Sequence, residues 1–160
     1  MTPKFHSLQI KNIRKETKSC VSISFDLPKE LQADYQYQSG QYLTLRSTIQ
    51  GEDVRRSYSL CSAPSDQEWR VAIKQVENGV FSTFALHELK EGDFLDVMNP
   101  MGNFKLETNP ENEKSYVLFA AGSGVTPIFS IAKSILREEP KSHVTMFYGN
   151  QGFSEVIFRE

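Results

Sequence analysis

The sequence predicts two kinds of architecture in succession: a β-rich barrel or sandwich, then the opening of a parallel α/β sheet. Three observations predict it. Six short segments with strand character occupy the first two thirds of the 160 residues, most of them separated by turn residues. The polar, proline-containing stretch "LETNPENEK" (106–114) then breaks the pattern. After it the continuous apolar run "SYVLFAA" meets a glycine turn and a helical repeat.

The strand candidates are "FHSLQIKNIRKET" (5–17), "CVSISFDL" (20–27), "QYLTLRSTI" (41–49), "VRRSYSLCSA" (54–63), "EWRVAIKQVE" (68–77) and "DFLDVMNP" (93–100). Gly51-Glu52-Asp53 separates the third from the fourth, and Pro64-Ser65-Asp66 precedes the fifth. Alternation puts Val21, Ile23 and Phe25 on one face, and likewise Trp69, Val71 and Ile73. Short strands at this spacing suit a barrel or a sandwich. One helix interrupts them. Phe81, Phe84, Ala85 and Leu89 form its apolar stripe, Ser82 is expected to cap it and Gly92 to end it.

Beyond the linker the pattern is strand, helix, strand, the unit of a parallel sheet. Ile128, Ile131, Ala132, Ile135 and Leu136 follow helical spacing, Pro140 closes the helix, and "HVTMFYG" (143–149) is the second strand. "FSEVIFRE" (153–160) reads as the start of a further helix, with Phe153, Val156 and Ile157 on one side. Two parallel strands and one full helix cannot bury both faces of a sheet, so the sequence reads as the front part of a longer protein. The expected division is a barrel domain over 1–107, a linker over 108–114 and an incomplete α/β domain over 115–160.

Composition narrows the function. The formal net charge is −2 and the pI about 6.0, which argues against general affinity for nucleic acid or anionic membrane. The longest basic cluster is Arg55-Arg56, and no run of apolar residues is long enough to span a bilayer. The N-terminus lacks the apolar centre of a signal peptide. Two cysteines, Cys20 and Cys61, make neither a disulfide framework nor a metal cluster, which reads as a reduced, cytoplasmic protein without a metal site. His6, His87 and His143 form no ligand pair, and Glu138-Glu139 reads as a solvated pair at a helix end.

Two stretches carry chemistry. In "RRSYSL" (55–60), Arg56 and Tyr58 fall on one face of a strand. A guanidinium grips a pyrophosphate in bidentate fashion, a phenol lies against a flat ring, and a neighbouring serine offers a hydrogen bond to a ring nitrogen. The plain alternative is an edge strand with an exposed arginine and a half-buried tyrosine. In "VAIKQVENGVFSTF" (71–84), a strand turns through Asn78-Gly79 into a helix. The N–H groups of Val80, Phe81, Ser82 and Thr83 would attract a phosphate there, with Gly79 permitting close approach and Lys74 adding charge. The plain alternative is a strand–turn–helix in which Ser82 serves only as a cap.

These stretches together with "GQY" (40–42), "NPMGNF" (99–104) and "GSGVTP" (122–127) stand in the order and spacing of a known family. The chain resembles the ferredoxin–NADP⁺ reductase superfamily over residues 5–160, and within it the reductase components of bacterial oxygenases, phenylacetyl-CoA oxygenase reductases among them. The resemblance implies a six-stranded antiparallel Greek-key barrel that binds FAD. It implies that Arg56 holds the pyrophosphate, Tyr58 packs on the flavin, and Ser59 sits near flavin N5, so that Tyr58 and Ser59 flank the reacting ring. Ser57 lies in the same run, and Tyr42 is expected on the flavin or adenine side. Ile73, Lys74 and Val76 would follow the cofactor along their strand, and Gly79, Val80, Ser82 and Thr83 would bind the pyrophosphate.

The resemblance further implies that Gly122, Ser123, Gly124, Val125, Thr126 and Pro127 begin an NAD(P)H site, with Thr126 directed toward the flavin. Hydride from NAD(P)H would reach FAD, and electrons would pass singly to an iron–sulfur acceptor that serves an oxygenase. Such reductases usually add a [2Fe–2S] domain, for which this chain has no ligands. Two readings of another class stand beside it: a non-catalytic FAD- or nucleotide-binding or interaction module, and a plain structural barrel. The unfinished sheet predicts self-association, or a poorly ordered C-terminal part.

Overall fold

The computed structural model describes residues 3–159, so Glu160, the last residue of the expected C-terminal helix, lies outside the described residues. Six strands form one antiparallel sheet: β1 (Phe5–Thr17), β2 (Cys20–Asp26), β3 (Tyr42–Ile49), β4 (Glu52–Ser59), β5 (Trp69–Lys74) and β6 (Phe94–Met98). Their spatial order is β4-β3-β6-β1-β2-β5. The sheet curls until its two edges meet, where Leu60, just past β4, bridges Val71 of β5 and Cys61 N–H donates to Arg70 O at 2.9 Å. This is the barrel alternative, not the sandwich.

Register explains the core. Val21 pairs with Ile73, Ile23 with Val71 and Phe25 with Trp69, so the two apolar faces read from alternation become one inner wall. Leu8, Ile10, Leu43, Leu45, Leu60, Leu95 and Val97 complete it, each almost wholly buried. Each such side chain contributes roughly 1.5–3 kcal/mol by leaving water. The outer wall of β2 is buried as well. The Arg70 guanidinium lies across it, donating to Ser22 Oγ (2.9 Å), Ser24 Oγ (3.0 Å) and Asn12 Oδ1 (2.9 Å) while paired with Glu68.

Helix α1 (Val80–His87) closes one end of the barrel, and Phe81, 1% exposed, is part of the core. Its ends differ from expectation. Gly79 occupies the N-cap position, while the Ser82 hydroxyl folds back, accepting from Val76 N–H (3.1 Å) and donating to Gly79 O (3.2 Å). Ser82 therefore ties the incoming turn and does not cap the helix. The helix ends at His87, and Gly92 serves the next turn at φ +93°, where its N–H donates to Ile10 O.

The second unit comprises β7 (Ser115–Ala121), α2 (Val125–Glu138) and β8 (His143–Gly149), with β7 and β8 parallel from Ser115↔His143 to Ala121↔Gly149. Helix α2 packs against one face of this sheet and against the barrel. Ser130 Oγ donates to Ser62 O (2.6 Å), and Asp66 pairs with both Lys133 and Arg137. Those barrel contacts select which α2 residues are buried, so Ile131 and Ile135 are inside while Leu136 is 62% exposed, contrary to the helical stripe. The sheet's other face bears exposed Val117, Phe119 and Phe147, the two phenyl rings stacked at 5.2 Å. These strands are thus covered on one face, not two.

Where the sequence reads as a third helix, the chain makes one 3-10 turn (Phe153–Glu155), then extends at Val156 and turns left-handed at Phe158 (φ +61°). The cause is packing across the seam between the two units. Ile157 is buried among Cys20, Cys61, Ala72 and Val125, and Phe158 stacks on Phe129 at 4.8 Å. Phe153 is left outside, 76% exposed. Burial pushes both thiols up to about 12, and neither is in a disulfide.

The stretch between the units has no regular structure but is firmly held. Glu139, expected to be solvated, is 1% exposed. Its carboxylate accepts from Asn109 N–H (3.1 Å), Asn112 Nδ2 (2.7 Å), Tyr116 OH (2.9 Å) and Ser142 Oγ (2.8 Å), while Thr108 Oγ1 donates to Glu138. Burial pushes the Glu139 carboxyl up, but these four donors outweigh it and hold it at about 2, below its ordinary 4.5.

Two outcomes are expected. Phe81→Ala, which opens a cavity at the barrel end, should destabilise by about 3–5 kcal/mol in urea unfolding. Glu139→Gln should lower the thermal midpoint at neutral pH. Because the folded value is depressed, the carboxylate's contribution is complete above about 4.5 and fades as pH falls toward 2, so the deficit of the variant should shrink across that window.

Candidate functional site

Strand β4 is an edge strand paired to β3, and the pairing fixes which way its side chains point. Arg56 lies opposite Leu45 and Tyr58 opposite Leu43, so both share the face that carries the barrel core. Arg56 is exposed, and its Nη1 donates to Arg55 O at 2.6 Å. Tyr58 is half-buried, its ring 5.8 Å from that of Phe81 and tilted by 39°. Burial pushes the Tyr58 phenol up to about 12, with Arg56 pulling the other way, so it is a neutral donor at ordinary pH. Ser57 and Ser59 point to the opposite face, across from Thr44 and Tyr42, and the hydroxyls of Thr44 and Ser57 lie 2.9 Å apart.

Tyr42 joins two further stretches singled out in the sequence. Its N–H donates to Met101 O (2.9 Å) and its carbonyl accepts from Met101 N–H (3.0 Å). Gly40 sits at φ +98°, where a Cβ would collide with Phe104 O. "GQY" and "NPMGNF" therefore meet because the backbones touch.

At the opening of α1, the first ladder bond runs from Thr83 N–H to Gly79 O at 3.0 Å. Thr83 is thus not among the amides left for a ligand, whereas those of Val80, Phe81 and Ser82 precede the ladder. A Cβ on Gly79 would lie 2.6 Å from Ser82 Oγ and 3.0 Å from Val76, so the tight turn itself demands glycine. Val76 and Val80, 64% and 46% exposed, flank this turn. Ile73 differs from expectation, since its side chain is fully buried in the core. A flat ring against Tyr58, with phosphates near Arg56 and the three amides, matches this mixture of apolar surface, cation and N–H donors.

A concavity of about 520 Å³ is lined by Lys74, Ala121, Gly122, Ser123, Gly149, Asn150 and Gln151. It joins the end of β5 to the carboxyl ends of β7 and β8, where open α/β sheets receive nucleotides. Gly122, at φ +49°, and Gly124 have no protein atom within 4 Å of where a Cβ would stand, so bare backbone borders open space. Val125 and Thr126 are buried instead, and Thr126 Oγ1 donates back to Ser123 O at 3.0 Å. Thr126 therefore braces the turn and does not reach out of it. Pro127, the third residue of α2, is half-buried and lacks an N–H that would have had no ladder partner.

Sequence reasoning missed two residues here. Glu155 accepts from Ser19 Oγ (3.0 Å) and pairs with Lys74 Nζ (3.2 Å). Asn150 Oδ1 is buried without a hydrogen-bond partner. Neither had a local signal, because the partners of Glu155 are 81 and 136 residues away in sequence. Among the described residues, no group of three or more His, Cys, Asp or Glu is placed to hold a metal, and no helix is long and apolar enough to cross a membrane.

Comparison with known proteins identifies both units of the chain. Residues 7–106 match the oxidoreductase FAD-binding domain, and residues 118–160 match the oxidoreductase NAD-binding domain. The chain is 39% identical over 156 residues to one of the subunits of 1,2-phenylacetyl-CoA epoxidase from Escherichia coli (strain K12), covering 98% of this chain and 44% of that protein. It is 36% identical to the ferredoxin reductase component of 3-ketosteroid-9-alpha-monooxygenase from Rhodococcus rhodochrous, over 96% of this chain and 43% of that one. The chain thus spans less than half the length of these curated relatives.

Among solved structures, the FAD/NAD-binding domain of nitric oxide dioxygenase from Vibrio cholerae O1 biovar El Tor superposes with a TM-score of 0.81 at 26% identity, covering 96% of this chain and 66% of that one. Phthalate dioxygenase reductase gives 0.79 at 25% identity, with coverage of 96% and 46%. With its barrel matched over 7–106 and the start of its parallel sheet over 118–160, the chain belongs to the oxidoreductase FAD-binding domain family, of the ferredoxin reductase-like type in which an NAD-binding domain follows.

Proposed function

We propose that this chain forms the FAD-binding part and the leading part of the NAD(P)H-binding part of an electron-transfer reductase. Its donor is NAD(P)H, its acceptor an iron–sulfur centre on another domain or protein, and its client an oxygenase component. The parts divide at 1–107, 108–114 and 115–160. The setting is the cytoplasm, in keeping with two free buried thiols. Bound FAD supplies what side chains lack, acceptance of a hydride followed by release of single electrons.

The protein's residues bind and orient. Arg56 and the amides of Val80, Phe81 and Ser82 grip the pyrophosphate, with Gly79 allowing close approach. Tyr58 packs against the flavin ring, and Ser59, opposite Tyr42 at the end of an edge strand, offers its hydroxyl near N5. Ser57 and Thr83 border the site, and Lys74 and Val76 line the path along β5. Gly122, Ser123 and Gly124 present backbone to the dinucleotide, while Val125, Thr126 and Pro127 hold that turn in shape. The observation that carries this reading is the meeting of Arg56 and Tyr58 on one strand face with Phe81 at the mouth of α1.

A second reading is an FAD-binding interaction module without turnover. The exposed face of Val117, Phe119 and Phe147 favours association, including self-association through that sheet. Dye reduction driven by NADH or NADPH separates the two, since binding without reduction supports the module.

Titrated with FAD, the protein should turn yellow and quench flavin fluorescence. Arg56→Ala should weaken FAD about 10- to 100-fold, by loss of a charge-assisted contact. Tyr58→Ala should weaken it about 2- to 10-fold, by loss of ring packing. A colourless protein, or two variants with unaltered affinity, would sink the assignment.

A further inference from the structure

We propose that Glu155 acts as a clasp on Lys74, holding its ammonium at the mouth of the β7–β8 cleft and competing for it with the phosphates of an entering dinucleotide. The proposal rests on the reading of that cleft as the pyridine-nucleotide site.

Among the described side chains lining the cleft, Lys74 alone carries a positive charge. It is the natural partner for a phosphate entering there, yet its Nζ already lies 3.2 Å from Glu155 Oε2. The carboxylate is not free to drift, because Ser19 Oγ donates to the same oxygen at 3.0 Å. These hydrogen bonds from Lys74 and Ser19 keep the carboxyl below its usual range, so it is charged whenever a nucleotide would arrive. Glu155 stands on the 3-10 turn that follows Gly149, Asn150 and Gln151, three residues of the cleft wall.

The pair ties three separated pieces together: the β1–β2 turn through Ser19, the end of β5 through Lys74 and the segment after β8 through Glu155. Both charged side chains are about a quarter exposed, at 26% and 28%. A pair this open to water adds little to stability. Its stronger effect is on what else Lys74 can bind. The pyrophosphate of a dinucleotide brings two negative charges against the carboxylate's one, with several acceptor oxygens. It can take the ammonium while Glu155 keeps its bond to Ser19 and the nearby charge of Lys18. The exchange swaps one ion pair for another, while the bond to Ser19 and the buried Ile157 keep the segment in place. Asn150 Oδ1, buried and unpartnered on the same wall, is then available to a donor on the ligand.

The test is calorimetric titration of the FAD-loaded chain with NAD⁺ and, separately, with inorganic pyrophosphate. Glu155→Gln should bind both probes about three- to fivefold more tightly than the parent. Ser19→Ala, which loosens the carboxylate without touching the charge, should shift binding the same way by less. Lys74→Met should weaken both probes, and adding Glu155→Gln to it should change nothing further, since the clasp has lost its object. Far-ultraviolet circular dichroism shows that each variant is folded, and the flavin spectrum reports how fully it is loaded with FAD. If the parent binds and Glu155→Gln is unchanged or weaker, the clasp is wrong and the cleft reading stands. If neither parent nor Glu155→Gln binds NAD⁺ or pyrophosphate, the cleft reading falls and takes the clasp with it.

Discussion

Phe81 is where the fold and the site become one object. Its ring fills the end of the barrel, and the same ring is the neighbour of Tyr58 on β4. Burying it fixes the position of α1, and through α1 the direction in which the amides of Val80, Phe81 and Ser82 point. The helix has only 8 residues, too few to be stable alone. Its geometry is borrowed from the core. A ligand that needs a cation, a ring and three amides at set positions can meet them only because one apolar side chain has no other place to go.

The second unit is placed with comparable economy. Asp66 draws in Lys133 and Arg137, Ser130 bonds Ser62, and Ile157 fills the seam beside Val125. On the far side, Glu139 gathers Asn109, Asn112, Tyr116 and Ser142 around one carboxylate. The segment that joins the units is thereby fixed relative to α2 and β8 without any helix or strand of its own. The carboxyl ends of β7 and β8 consequently face Lys74 of the barrel, and the cleft is a joint product of both units.

Much of this was legible in the sequence, for stated reasons. Alternation in β2 and β5 gave faces that pair residue for residue, because period-2 patterning reports directly on which side of a sheet is buried. The Arg56–Tyr58 pair and the Gly79 turn were visible because each is local. What was not legible depended on distant partners. Glu139 read as solvated because three of its donors, Asn109, Asn112 and Tyr116, come from the linker and β7. The segment after Phe153 read as helical because its spacing is right, yet Ile157 and Phe158 are claimed by the barrel and by Phe129. Ser82 read as a cap because caps are common there, but the turn leading into the helix offered its hydroxyl two backbone partners. Glu155 carried no signal, since nothing near it in sequence names Lys74.

Cys20 and Cys61 have a consequence of their own. They lie within the seam, on the barrel side, covered by Val125 and Ile157. While the seam is shut, both sulfurs are protonated and walled off from solvent, so alkylating and oxidising agents find nothing to attack. The rate at which such an agent labels them is therefore a clock for how often the barrel and the α/β unit part company, readable without any added probe.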